Sequence, residues 1–205
     1  MNRSVHILMT MTLGRPLEFN PEHALDAAME VFWCKGYEAT SLADLLAAMH
    51  LSKSSLYQTF GGKQELFQKC LLRYQDRFAR ELTVQLNHAP SGLQFIRSVF
   101  EWVASTAQEP AGAKGCLVAN SANEFGQRDP VFAKPIAQGL QRLEAIFTAA
   151  VKRAQQEGDV AASADRTALA RYLVSAMTGL RTLIKSGLDI RSAGAMVPLI
   201  MKAVR

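Results

Sequence analysis

The sequence predicts an all-α protein of about nine helices. Three observations carry this. Apolar residues recur at three- and four-residue spacing along most of the chain. Ser, Thr, Asn or Asp opens many of these runs, and Gly closes several. No stretch sustains the period-two alternation of a strand. The composition, 49% hydrophobic and 20% charged, is that of an ordinary globular protein, and no apolar run approaches the roughly 18–20 residues that cross a bilayer.

Residues 1–13 carry one Arg and a short apolar patch without a small-residue cleavage site, so they read as a disordered extension rather than a secretory signal; Met9 and Met11 are equally good starts. The first strong helix opens at Asn20-Pro21, because Asn caps well and proline's missing N–H is an orphan at that position in any case. Leu25, Ala28, Met29 and Phe32 form its apolar stripe, and Gly36 closes it. The second helix opens at Thr40-Ser41, where Ser41 to Asp44 is a capping-box variant. Leu42, Leu45, Leu46 and Met49 form its stripe. After His50-Leu51, Ser52 caps a third helix over residues 53–60, with Leu51 and Leu56 placed as a hydrophobic staple and Leu56 and Phe60 as its buried edge. Gly61-Gly62 ends it. Further helices are expected at about 63–88, 93–107, 116–125, 131–157, 165–185 and 193–204, separated by Gly, Pro and Asp punctuation.

Two short helices joined by a turn of about three residues, the second opening on small polar side chains, is the pattern of a helix-turn-helix. A recognition helix must enter a major groove about 12 Å wide, so its outer face needs small, polar and basic residues. Lys53, Ser54, Ser55, Gln58 and Thr59 supply them. Tyr57 is placed to pack its ring on the domain while its hydroxyl reaches a phosphate. The helix starts at Thr40-Ser41, Ser52 and Gly62-Lys63 each offer free N–H groups to a phosphate.

Charge refines this reading. The net +5 points to a polyanionic partner, yet residues 1–80 carry only +1 and residues 81–205 carry +4. What is local is an acid-free stretch from Leu45 to Gln64 that contains Lys53 and Lys63. The claim to DNA therefore rests on architecture rather than on bulk basicity. Three scattered cysteines, Cys34, Cys70 and Cys116, fit a reducing cytoplasm and no disulfide framework. Without Cys-x-x-Cys or His-x-x-x-His spacing, no metal or cofactor is expected. Nor is there a phosphate loop or a Gly-x-Ser-x-Gly elbow, which excludes the common enzyme classes; Gly61-Gly62-Lys63 lacks the upstream glycine and strand.

The stretch from Gly14 to Tyr74 resembles the N-terminal domain of the TetR family of transcriptional regulators. The matching residues are Phe32, Gly36, Tyr37, Thr40, Ser41 and Leu42, then Leu51-Ser52-Lys53-Ser54-Ser55-Leu56-Tyr57 with Phe60, then Lys63, Leu66 and Phe67. The resemblance implies a DNA-binding domain at 14–74 and a helical ligand-binding and dimerisation domain at 75–205. It implies a repressor that binds a palindromic double-stranded operator as a homodimer and is released by a small-molecule effector. Thr40, Lys53, Ser55, Tyr57 and Lys63 fall where the family touches DNA, with Arg15 on an arm that reaches the backbone or minor groove. Two departures stand out. His50 occupies a turn position usually held by Gly, and Gly62 stands where a capping Ser is common.

In the family the last long helices dimerise, here near 131–157 and 165–185, and the small residues Ala176 and Gly179 permit close helix approach. Intramolecular core is the alternative for these positions. Trp102, Phe100, Cys116, Asn120, Asn123 and Phe125 combine aromatic walls with polar groups, as effector pockets do, though aromatics at helical spacing are commonly core. Cys116, at a helix start two residues after Lys114, has the setting of a thiol that senses an oxidant or electrophile; a small buried hydrophobe is the plainer reading. A helical protein-interaction module with a non-functional DNA head is the rival for the whole chain.

Overall fold

The computed structural model describes residues 19–126 and 128–204; Arg15 and the rest of the N-terminal extension lie outside them. Nine α-helices and two 3₁₀ turns make up this part, and no strand occurs among the described residues. They are α1 (Pro21–Lys35), α2 (Leu42–Met49), α3 (Lys53–Phe60), α4 (Lys63–His88), α5 (Gly92–Ser105), α6 (Leu117–Phe125), α7 (Pro130–Gln156), α8 (Arg166–Lys185) and α9 (Ile190–Val204). The 3₁₀ turns, Thr106–Gln108 and Gly112–Lys114, lie between α5 and α6.

Local chemistry sets these boundaries. Asn20 Oδ1 accepts from the amides of Glu22 and His23 at the head of α1, and Gly36 ends that helix at φ +81°. Residue 50 closes α2 in the left-handed conformation, φ 53° and ψ 42°, the one positive-φ non-glycine among the described residues. A left-handed residue with a Cβ costs roughly 1 kcal/mol, and His50 is exposed. His50→Gly is therefore expected to stabilise the head by about 0.5–1 kcal/mol, seen as a higher urea midpoint at unchanged slope.

Two apolar cores result, and along α4 they divide between Tyr74 and Phe78. One joins α5, α8 and α9 with the middle and end of α7 and the far half of α4. The other joins α1, α2, α3 and the first turns of α4 to α6 and the start of α7. The expected domain boundary at 74/75 thus falls inside the continuous helix α4, and α6 packs with the head. The ring of Phe67 is at the centre of this second core, 4.9 Å from Phe32, 5.1 Å from Tyr37, 5.3 Å from Phe132 and 5.9 Å from Phe125.

Polar contacts tie the same seam. Glu124 on α6 accepts from the backbone amides of Tyr37 (3.1 Å) and Glu38 (2.7 Å), which pins the α1–α2 loop. Trp33 donates its indole N–H to Gly115 O at 3.2 Å, and Lys114 pairs with Glu30. Between α1 and α4, Arg73 holds Asp26 through two hydrogen bonds of 2.6 and 2.9 Å. This holds the Asp26 carboxyl below the ordinary carboxylate range. A depressed carboxyl stabilises the fold above its unfolded pKa. That contribution is complete at neutral pH and fades only as the carboxyl protonates, below about pH 4. Pro135 inside α7 withholds an amide from Val131 O, and Gln68 on α4 donates to that carbonyl at 3.2 Å instead.

Candidate nucleic-acid interface

Helices α2 and α3 with the turn between them form the expected helix-turn-helix. Ser52 caps α3, its hydroxyl accepting from the Ser55 amide at 3.2 Å and lying within 2.9–3.0 Å of the Ser54 and Ser55 hydroxyls. Leu56 and Phe60 are buried against the head, and this rotational setting turns the other residues out. Lys53, Ser54, Tyr57 and Gln58 are exposed; Ser55 and Thr59 are half-buried at the edges of the face. Tyr57 is 49% exposed, far from the usual packing of a large aromatic on a small domain. Six of the expected DNA-facing residues are thus brought together on one short helix.

The other expected phosphate sites are corrected. Thr40 is 1% exposed, its hydroxyl donates to Gly36 O at 2.5 Å, and its amide donates to Tyr37 O. Its side chain holds the loop rather than facing a ligand. Ser41 has its hydroxyl and its amide on the Asp44 carboxylate, at 2.8 and 2.9 Å, and Lys35 holds the same carboxyl at 2.7 Å. Lys35 and the Ser41 donors hold Asp44 far below the ordinary carboxylate range. A permanent anion therefore already covers the start of α2. The start of α4 is similar: the Gly62 amide donates to Glu65 Oε2 at 2.9 Å. Of the three helix starts, only that of α3 has no acid in its first turn. Lys63 opens α4 half-exposed, its ammonium 4.3 Å over the Tyr37 ring centroid.

The residues expected to form one effector site do not share a cavity. Trp102 lines a cleft of about 350 Å³ between α1, α4, α5, α8 and the 3₁₀ segment. Phe100 is fully buried core beside Phe147. Phe125 is packed among Tyr37, Phe67 and Phe132. Asn120 donates to Lys114 O at 2.8 Å and, with the exposed Asn123, lies on a different surface hollow near Glu38 and Lys185. Cys116 is 2% exposed at the start of α6, and Lys114, expected to activate it, is spent on Glu30 and the Trp33 ring. The physical reason is the docking of α6 on the head, which buries Phe125 among the head's rings and puts Cys116 behind Tyr74 and Phe78. Glu124 carries no local sequence signal, because its partners lie 86 and 87 residues away in sequence.

A short hydroxyl-capped helix, turned outward from a three-helix head and joined through the continuous helix α4 to a larger helical body, defines a helix-turn-helix DNA-binding regulator. Comparison with known proteins agrees. Residues 24–70 match the family model for bacterial regulatory proteins of the tetR family, and residues 92–192 match the model for a tetracyclin repressor-like C-terminal domain. An uncharacterised HTH-type transcriptional regulator of Bacillus subtilis, YezE, is 33% identical over 179 residues, covering 87% of this chain and 92% of that protein. The HTH-type transcriptional repressor ComR of Escherichia coli is 30% identical over 178 residues, covering 86% and 85%. A cysteine mutant of the TetR family regulator CifR, solved with 26-bp double-strand operator DNA, superposes with a TM-score of 0.84 at 28% identity, covering 94% of this chain and all of that one. The chain belongs to the TetR family: it is a transcriptional regulator, not an enzyme. Among the described residues no helix is long and apolar enough to cross a membrane.

Proposed function

We propose that the protein is a cytoplasmic repressor that binds a palindromic operator as a homodimer and is released by a small-molecule effector. The observation that carries the DNA reading is α3, the one helix start of the head free of acids, with Lys53, Ser54, Tyr57 and Gln58 turned out from a frame that matches an operator-bound relative. Ser54, Ser55, Gln58 and Thr59 are assigned to base edges, and Lys53, Tyr57 and Lys63 to phosphates. The test is anisotropy of a labelled random duplex titrated with the full chain. Affinity that falls steeply and log-linearly with salt supports the reading. No binding at low salt would instead support an interaction module with a silent head.

The dimer is assigned to the outer face of α7 and α8. Along α8, Tyr172 and Leu183 are 39% and 45% exposed, Ala168 is exposed, Ala176 is half-buried, and a Cβ built at Gly179 meets nothing within 4 Å. A large residue at Gly179 therefore fits the single chain, and on the helix it relieves glycine's propensity cost of about 1 kcal/mol. Gly179→Arg is expected to leave a folded chain whose mass by light scattering is that of a monomer. An unaltered dimer would move the interface elsewhere. The 2% exposure of Cys116 supports a reversible effector over a covalent electrophile.

A further inference from the structure

We infer that the cleft beside Trp102 binds a small aromatic or apolar monocarboxylate, with Arg181 as its charge partner. This rests on the ligand-responsive reading above and names the ligand class. Arg181 is only 7% exposed, yet it forms no ion pair with any described carboxylate, and its Nη1 is buried with no hydrogen-bond partner. Its guanidinium carbon lies 5.4 Å from the ring centroids of both Phe78 and Trp102. A guanidinium taken out of water costs several kcal/mol unless an anion meets it, and the two rings return only part of that. The buried Tyr74 ring also walls the cleft, and burial together with the Cys116 thiol beside its hydroxyl pushes its pKa up, so it stays neutral at physiological pH.

The rest of the cleft narrows the class. Trp33, Tyr74, Phe78, Trp102 and Met29 give it aromatic and apolar walls, and its volume of about 350 Å³ is at the small end of ligand sites, roughly 300–1,000 Å³. Asp26 and Glu30 also line it, but they are already held by Arg73 and Arg77 and by Lys114. Glu81 and Glu109 stand exposed at the rim. Among the described residues of the cleft Arg181 is the one cation without a carboxylate partner, so it accepts a monoanion while the surrounding carboxylates repel a dianion. A planar carboxylate fits the guanidinium fork. The walls also connect the two functions of the chain. Trp33 and Met29 belong to α1 of the head, and Arg181 to α8 of the proposed dimer seam, so an occupant bears on both.

The sequence has two tryptophans, Trp33 and Trp102, and both line this cleft, so intrinsic fluorescence of the full chain reports on it. Benzoate, phenylacetate and 3-phenylpropionate are each titrated against their amides and against phenyl phosphate, without DNA. At least one acid is expected to give a saturable change and to bind about tenfold or more tighter than its amide and than phenyl phosphate. Arg181→Met is expected to remove that preference while leaving amide binding unchanged, and to raise the melting temperature of the free protein. If the variant does not fold, the acid-to-amide ratio of the wild type decides alone. Equal binding of acid and amide, tighter binding of phenyl phosphate, an unchanged preference in Arg181→Met, or no saturable change with any probe up to roughly 10 mM each overturns the inference. The ligand-responsive reading fails separately, when a saturating acid leaves duplex affinity unaltered.

Discussion

Phe67→Ala is expected to destabilise the protein by about 3–5 kcal/mol, the range for deleting a large buried aromatic. Phe67 is 1% exposed and meets four other rings within 6 Å, drawn from α1, the α1–α2 loop, α6 and α7. Tilted and edge-on pairs of this kind add about 0.5–1.5 kcal/mol each beyond burial. Urea denaturation measures the loss as a lower midpoint. A control in the other core separates stability from coupling. Phe147→Ala, with Phe147 fully buried among α5 and α7, is expected to cost a similar amount. Only Phe67→Ala is also expected to weaken duplex binding per folded molecule, because its ring joins the head to the body. Equal binding by the two folded variants would show that the seam does not orient the head.

The second large effect concerns Lys53 and Lys63. Lys53→Ala combined with Lys63→Ala is expected to lower the salt slope by about one for each phosphate left without its lysine, hence about four for a dimer. Through the log-linear salt law this amounts to about a thousandfold weaker binding near 0.15 M salt. The loss should be nearly uniform across sequences. Replacing Ser54, Gln58 or Thr59 should instead change which base pairs are preferred, at about 1–3 kcal/mol for each base contact. Competition assays on operator and random duplex, run at several salt concentrations, separate the two behaviours. A double variant that binds as well as wild type would remove Lys53 and Lys63 from the interface.

The head was legible in the sequence because its signals are local. Asn20, Ser41 with Asp44, and Ser52 cap within two or three residues of themselves, and each does so in the structure. His50 takes the left-handed turn that the pattern required of it. The capping box that starts α2 already places the Asp44 carboxylate over the amides, so the same amides are not free for a phosphate. Contacts across long sequence separation were not legible. Helical spacing puts Arg181 on the apolar stripe of Met177, Leu180 and Ile184, but it does not show that the packing of α8 on Phe78 and Trp102 encloses the charge. The effector residues divided for a related reason. Helical spacing shows that Cys116, Asn120 and Phe125 lie on a helix, but not that this helix packs against α1 and the α1–α2 loop.

The central claim is that α3 of a two-fold dimer reads the DNA major groove. Selecting binding sites from a random duplex pool tests it most directly, with the wild type and with a variant in which Ser54, Gln58 and Thr59 are alanine. The wild type is expected to enrich an inverted repeat whose half-sites repeat at about one helical turn or a multiple of it. The variant is expected to lose or alter the bases within those half-sites while keeping salt-dependent affinity for duplex. Enrichment of an identical site by both proteins, or of no symmetric site by the wild type, would contradict the account.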